Sequence, residues 1–167
     1  MIRALLRRSL DRAERQLGAP VDYLRYAAEH DPAAVVKFGL LQPATGHRKA
    51  LPVEVYHAIR IAATHEADCG TCVQIEVGAA REAGVAVETV RAILAGTPPE
   101  PLAAAVAFAR ATARGEDPTV ERGRLRERYG DRGVVEAALA VTTAQAYPTM
   151  KRALGYATAC ALVEVQV

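Results

Sequence analysis

His65-Glu66-Ala67-Asp68-Cys69-Gly70-Thr71-Cys72-Val73-Gln74-Ile75-Glu76 is the stretch on which the fold turns. It holds two of the three cysteines in 167 residues. The segments on both sides read as helix: Pro52 to Thr64 before it, Val73 to Ala83 after it, the second with no proline. The Cys-x-x-Cys therefore lies at or just before a helix start, after a short turn. Backbone N–H groups point at a sulfur there, and the helix dipole favours negative charge, so a thiol can become a thiolate. Cys69, Cys72 and Glu76 fall at i, i+3 and i+7, one face of a helix.

Working outward, the chain reads as helices separated by Gly and Pro. Ile2, Leu5, Leu6, Leu10, Ala13 and Leu17 mark one face of a first helix that ends at Gly18 and Pro20. A short second helix spans about Asp22 to Glu29. Asp31-Pro32 caps and starts a third, which carries Val35, Val36, Phe38 and Leu41. Residues 42–50 read as a loop. Beyond the cysteine helix, which stops at Gly84, a sixth helix ends at Gly96 and the Pro98-Pro99 connector follows. An Ala-rich seventh covers Leu102 to Arg114, with small residues suited to close packing. Asp117-Pro118 repeats the cap-then-Pro start for an eighth ending at Tyr129-Gly130, and Asp131 caps a long last helix, which Pro148 should kink or split. The tail 162–167 alternates as a strand would. The expectation is one all-α domain over residues 1–167, a bundle of about eight or nine helices.

Composition narrows the function. Twenty-one Lys and Arg against nineteen Asp and Glu give a net charge of +2. That balance provides no electrostatic footprint for nucleic acid. Apolar residues are 51% but aromatics only 5%, and the Ala and Leu content favours helices. No run of 18 apolar residues exists, so no membrane span is expected. The Arg-interrupted N-terminus does not resemble a signal peptide. It reads as an ordinary basic surface helix rather than one lying on a membrane. Three cysteines without a secretory signal point to a reducing cytoplasm, where Cys-x-x-Cys means redox or metal more often than a structural bridge.

Among the readings of the pair, a thioredoxin-type site needs a preceding strand, and Ala58 to Ala63 is helical in composition. A c-type haem site needs His directly after the second Cys, where Val73 stands. Structural zinc needs four ligands, and Cys160 is alone in an apolar helix. Two inert buried cysteines remain an alternative to a helical redox dithiol.

The order helix, turn, Cys-x-x-Cys, helix ending in Ala-Ala-Arg-Glu-Ala-Gly-Val resembles the carboxymuconolactone decarboxylase family, in particular its alkyl hydroperoxidase D-like branch. Leu102 to Arg110, Leu125 to Gly130 and Val134 to Ala140 are similar to that family's C-terminal half. The resemblance covers about residues 52–155; the N-terminal helices of 1–51 match only loosely. It implies an all-α trimer or hexamer without bound cofactor or metal, acting as a thiol peroxidase or disulfide oxidoreductase. Cys72 would be the attacking thiolate and Cys69 the resolving thiol, with a peroxide or small disulfide as substrate and an external thiol as reductant. Lactone decarboxylation fits less well, because that branch lacks the Cys pair. A non-catalytic helical oligomer that keeps the scaffold is the rival from a different class.

The family pattern has Glu twelve residues before the first Cys and His four after the second. Here His57 and Glu76 stand at those positions, as if exchanged. On antiparallel helices turning near Ala67-Asp68, His57 lies about 15 Å back along its axis and Glu76 about 12 Å forward, so the two are expected in hydrogen-bond contact, or joined by one water, beside Cys72. Glu66, Asp68 and Glu76 bring carboxylates near the thiols and tend to raise their pKa, an effect that His65 and His57 offset only if charged or hydrogen-bonded. Asp68 also suits the cap of the cysteine helix. Tyr147, Lys151 and Arg152 read mainly as a solvated face of the last helix.

The spacing yields a direct test. Mild oxidation followed by alkylation and mass spectrometry should give a Cys69–Cys72 link and leave Cys160 alkylated; a Cys160 crosslink contradicts the assignment.

Overall fold

A computed structural model describes residues 2–67 and 70–157. Asp68, Cys69 and Cys160 and the expected strand at 162–167 lie outside them. The described residues form nine helices and no strand: α1 (Ile2–Leu17), α2 (Asp22–His30), α3 (Pro32–Gly39), α4 (Gln42–Thr45), α5 (Val53–Glu66), α6 (Gly70–Glu82), α7 (Val87–Leu94), α8 (Glu100–Ala113) and α9 (Thr119–Ala153). The all-α expectation holds. The expected loop 42–50 contains the one-turn α4, started by Pro43 in its first turn.

α5 is the centre. Nine of its residues in succession or near it, from Val55 to Thr64, are buried on every side of the helix. A helix apolar all round has to sit inside the molecule. α8, α9, α6 and α7 pack around it. Ala58, Ala62 and Ala63 of α5 and Ala105 and Ala109 of α8 are fully or almost fully buried, and such small side chains let helix backbones approach closely. The Ala-rich face of α8 is thus used within the chain.

α1, α2 and α3 build a smaller cluster of Leu10, Val21, Ala27, Ala28 and Val35, against which Met150 and Leu154 of α9 pack. Arg25 joins α2 to α1 through Asp11, at 2.7 Å, and Glu14. The apolar stripe expected for α1 is buried only at Leu10; Leu5 is 69% exposed. Asp31 caps α3 as expected, accepting from Ala34 N at 3.0 Å. The other two caps differ. Asp117 accepts from Thr119 Oγ1 and Arg122, and Asp131 from Arg126 Nε. In both cases a nearby arginine fork competes for the carboxylate.

α9 is two helical segments meeting at Gly130, whose φ of 69° and ψ of 179° break the helix where the sequence places the boundary. Three residues on, a Cβ at Gly133 would lie 2.3 Å from Tyr129 Cβ, so only glycine fits the restart. The helix then continues through Pro148 to Ala153 without the expected split.

One buried carboxylate fastens the loop ahead of α5. Glu136 of α9, 1% exposed, accepts from the backbone N–H groups of Lys49, Ala50 and Leu51 at 2.8 to 3.0 Å. Burial pushes its carboxyl up, but the N–H donors of Ala50, Leu51 and Lys49 outweigh this and hold it below the ordinary value. Because the folded-state pKa is depressed, the stabilisation is complete above the ordinary value of 4.5 and is lost as pH falls through the lower folded value. Glu136→Ala strands three buried donors and should cost about 3 kcal/mol in urea unfolding at pH 7, with the difference shrinking in acid.

Candidate functional site

A cavity of about 430 Å³ opens beside the cysteine helix. Three helices turn one face to it. α6 contributes Thr71, Cys72, Ile75, Glu76 and Ala79, the repeating i, i+3, i+4, i+7 pattern. α5 contributes Tyr56, His57 and Arg60, and α9 contributes Ala144, Tyr147, Pro148 and Lys151. Leu17 at the end of α1 and Ala19, Pro20 and Val21 of the α1–α2 connector line another side of it.

Cys72 is the third residue of α6, half-buried, in the first turn as the sequence predicts. It shares the cavity wall with Glu76 and His57. Opposite faces of α6 therefore do different work: Val73, Val77 and Ala80 enter the core, and Cys72, Ile75, Glu76 and Ala79 face the cavity.

Of the two contacts expected between His57 and Glu76, the direct hydrogen bond is not the arrangement found. Glu76 bonds Arg60: Nε donates to Oε2 at 2.8 Å and Nη2 to Oε1 at 2.6 Å. Arg60 Nη1 also donates to Thr143 Oγ1 at 2.8 Å, so one guanidinium joins α5, α6 and α9. The reason is geometric. Arg60 lies one turn nearer the α5–α6 connection than His57, closer to the level of Glu76, and its planar fork matches a carboxylate through two parallel bonds. At 6% exposure it is nearly as buried as its apolar neighbours. Burial lowers its pKa, but Glu76 outweighs that and raises it, so the charge is permanent.

His57 is left with Nδ1 buried and unpartnered, its ring edge-on to Tyr56. Burial lowers its pKa below the ordinary 6.5, against an upward pull from Glu76. The ring is thus neutral at pH 7 and able to take a proton. Burial likewise raises the phenols of Tyr56 and Tyr147. Tyr56 O–H donates to the Thr45 carbonyl, and Tyr147 O–H to Gln42 Oε1 at 3.0 Å, tying α4 to the cavity rim.

The remaining carboxylate near the thiols also has a cationic partner. Glu66 turns to Arg110 and Arg114 of α8, at 3.4 and 3.5 Å. The acidic surroundings expected for the thiols are accordingly compensated at Glu66 and Glu76 by arginines. His65 is exposed, and Asp68 and Cys69 lie outside the described residues. α9 holds the end of α5: Gln145 Nε2 donates to Ala63 O at 3.1 Å, and Arg152 to Ala67 O. The solvated face expected for the last helix is corrected at two positions. Tyr147 and Lys151 line the cavity, and Lys151 is 7% exposed. Sequence reasoning missed Arg60 and Thr143; the available signal was an arginine inside the apolar run of α5.

The Arg60–Glu76 pair gives a sharp expectation. Arg60→Met or Glu76→Leu alone leaves one charge buried and should cost about 3 to 5 kcal/mol in denaturant unfolding. The double variant should recover most of that loss, and a purely additive loss would show that the pair is not coupled.

No family model, no curated protein and no solved structure matches this chain.

Proposed function

We propose that the protein is a thiol-dependent peroxidase or disulfide oxidoreductase working through Cys69 and Cys72. The observation that carries this is Cys72 in the first turn of α6, lining a cavity together with a neutral His57 whose Nδ1 has no partner. The resemblance of residues 52–155 to the alkyl hydroperoxidase D-like branch supports the same reading.

In this scheme His57 takes the Cys72 thiol proton. The thiolate attacks the peroxide's terminal oxygen and the O–O bond breaks. Cys72 becomes a sulfenic acid, and the leaving alkoxide takes up a proton. The Cys69 thiol then attacks the Cys72 sulfur, water leaves and a disulfide forms; an external thiol reductant restores both thiols by exchange. Arg60 offsets the opposition of Glu76 to ionisation of the Cys72 thiol, and the start of α6 favours the thiolate. Glu76, held by Arg60, keeps the guanidinium in place and does not orient the base.

The rival, a non-catalytic helical oligomer, is favoured by one observation: Glu76 is engaged by Arg60, so His57 lacks the carboxylate that would orient it. Free-thiol titration before and after one equivalent of hydrogen peroxide separates the two. A homo-oligomer in a reducing cytoplasm completes the proposal. Sedimentation giving only a 17.8 kDa species argues against assembly. No helix among the described residues is long and apolar enough to cross a membrane.

The catalytic test is kinetic. His57→Ala should slow peroxide-driven loss of thiols near neutral pH by roughly 10²-fold, the low end for losing a general base. The wild-type rate should fall on acidification only below the ordinary histidine value of 6.5, because burial lowers the His57 pKa. Equal rates for wild type and variant leave the dithiol without a base and sink the scheme.

A further inference from the structure

We propose that the outward face of α1 docks the protein on an anionic lipid bilayer, with Ile2 and Leu5 entering the boundary between headgroups and acyl chains and Arg8, Arg12 and Arg15 meeting the lipid phosphates. Such docking goes beyond the redox reading and does not depend on it.

The sequence places Ile2, Leu5, Leu6, Leu10, Ala13 and Leu17 together, which describes a helix that buries its apolar side and leaves its arginines to water. The fold divides that group. Leu10 is buried and Leu6 packs beside it. Ile2 is 54% exposed and Leu5 69%. With 3.6 residues per turn, Leu5 lies about 140° round the helix from Leu10, and Arg8 and Arg12 about 160°. Leu5, Arg8, Arg12 and Arg15 follow one another at i, i+3, i+7 and i+10, a straight stripe on the side away from the core, and Ile2 stands one turn before Leu5. All five are exposed. Two apolar side chains thus form the tip of a stripe about 20 Å long whose remainder is cationic.

The carboxylates of α1 do not neutralise the stripe. The helix carries five arginines against Asp11 and Glu14. Asp11 stands within one turn of Arg8 and of Arg15, but both acids turn to Arg25 of α2, Asp11 at 2.7 Å. Arg7 lies 3.9 Å from Glu29 of α2, and Arg3 shares a groove with that pair. α2 therefore draws the acids of α1 to the inner side, and the outer side keeps three positive charges.

An anionic bilayer fits both halves of the stripe. Arginine stems lie along apolar surface while the guanidinium reaches a phosphate. Basic side chains near such a surface add attraction that salt screens, and inserted apolar side chains add a part that it does not. A nucleic acid takes the arginines and leaves Ile2 and Leu5 in water. Because Leu6 and Leu10 are already committed to the core, the contact is peripheral and reversible.

Co-sedimentation of the full chain with sucrose-loaded vesicles tests this. The protein should bind phosphatidylserine-rich vesicles, bind pure phosphatidylcholine at least tenfold more weakly, and dissociate as salt rises. Arg8→Gln, Arg12→Gln and Arg15→Gln together should weaken binding on the order of 10²-fold, about fivefold for each charge removed. Ile2→Ser with Leu5→Ser should weaken it roughly tenfold, and high salt should abolish what remains. All these positions are exposed and outside the cavity wall, and circular dichroism checks that the helices persist. The chain has no tryptophan, so Leu5→Trp supplies a single indole, whose emission should shift to the blue on anionic vesicles. Equal binding to both kinds of vesicle, wild-type binding by the triple arginine variant, or an indole emission unchanged on binding would each overturn the proposal. Duplex DNA bound more tightly than vesicles, with no loss in the Ile2→Ser, Leu5→Ser variant, would assign the stripe to nucleic acid and overturn it as well.

Discussion

Arg60 is the group on which the rest of the structure depends. α5 runs through the middle of the bundle with its apolar residues facing every neighbour, so a charge on it is largely withdrawn from water. A guanidinium there is tolerated only with its donors matched. Glu76 takes two of them from α6 and Thr143 takes a third from α9. Those bonds fix how α6 lies along α5, and with it the position of Cys72 one turn before Glu76.

The same arrangement sets the electrostatics of the cavity. A carboxylate close to a thiol holds back its ionisation, and the sequence near the cysteines is acidic. Arginines from two other helices offset that: Arg60 of α5 at Glu76, and Arg110 of α8 with Arg114 at its C-cap at Glu66. The thiol environment is therefore decided by cations that are distant in sequence from the carboxylates they neutralise. His57 completes the wall as an uncharged base, because burial works against its protonation more strongly than Glu76 favours it.

The N-terminal third acquires a purpose from this geometry. α1 to α3 have only a small core of their own, and the end of α1, the α1–α2 connector and Tyr23 of α2 line one side of the cavity. The loop that leads from them into α5 is held by Glu136, whose two oxygens receive three successive backbone N–H groups. Without that anchor the loop carrying Arg48 and Leu51 would have unsatisfied donors next to the core. That side of the site and the central helix are thus joined through one carboxylate on α9.

The sequence by itself determined the helices and the face that carries the chemistry. Gly and Pro punctuation placed most of the helix boundaries, including the break at Gly130, because those residues act through their own backbone. The i, i+4 relation put Cys72 and Glu76 on one wall for an equally local reason. Partner choice was not local. Whether Glu76 meets His57 or Arg60 depends on the relative height of two helices to within one turn, and a periodic pattern does not encode that height. Lys151 and Tyr147 looked like a polar stripe for solvent, but in the fold they line a cavity whose wall also includes residues of α1, α2 and α4, and Tyr147 donates to Gln42. Only the tertiary structure decided which charges lie in the cavity and which of them are neutralised, since pairing and burial are set by helices that approach one another from opposite ends of the chain.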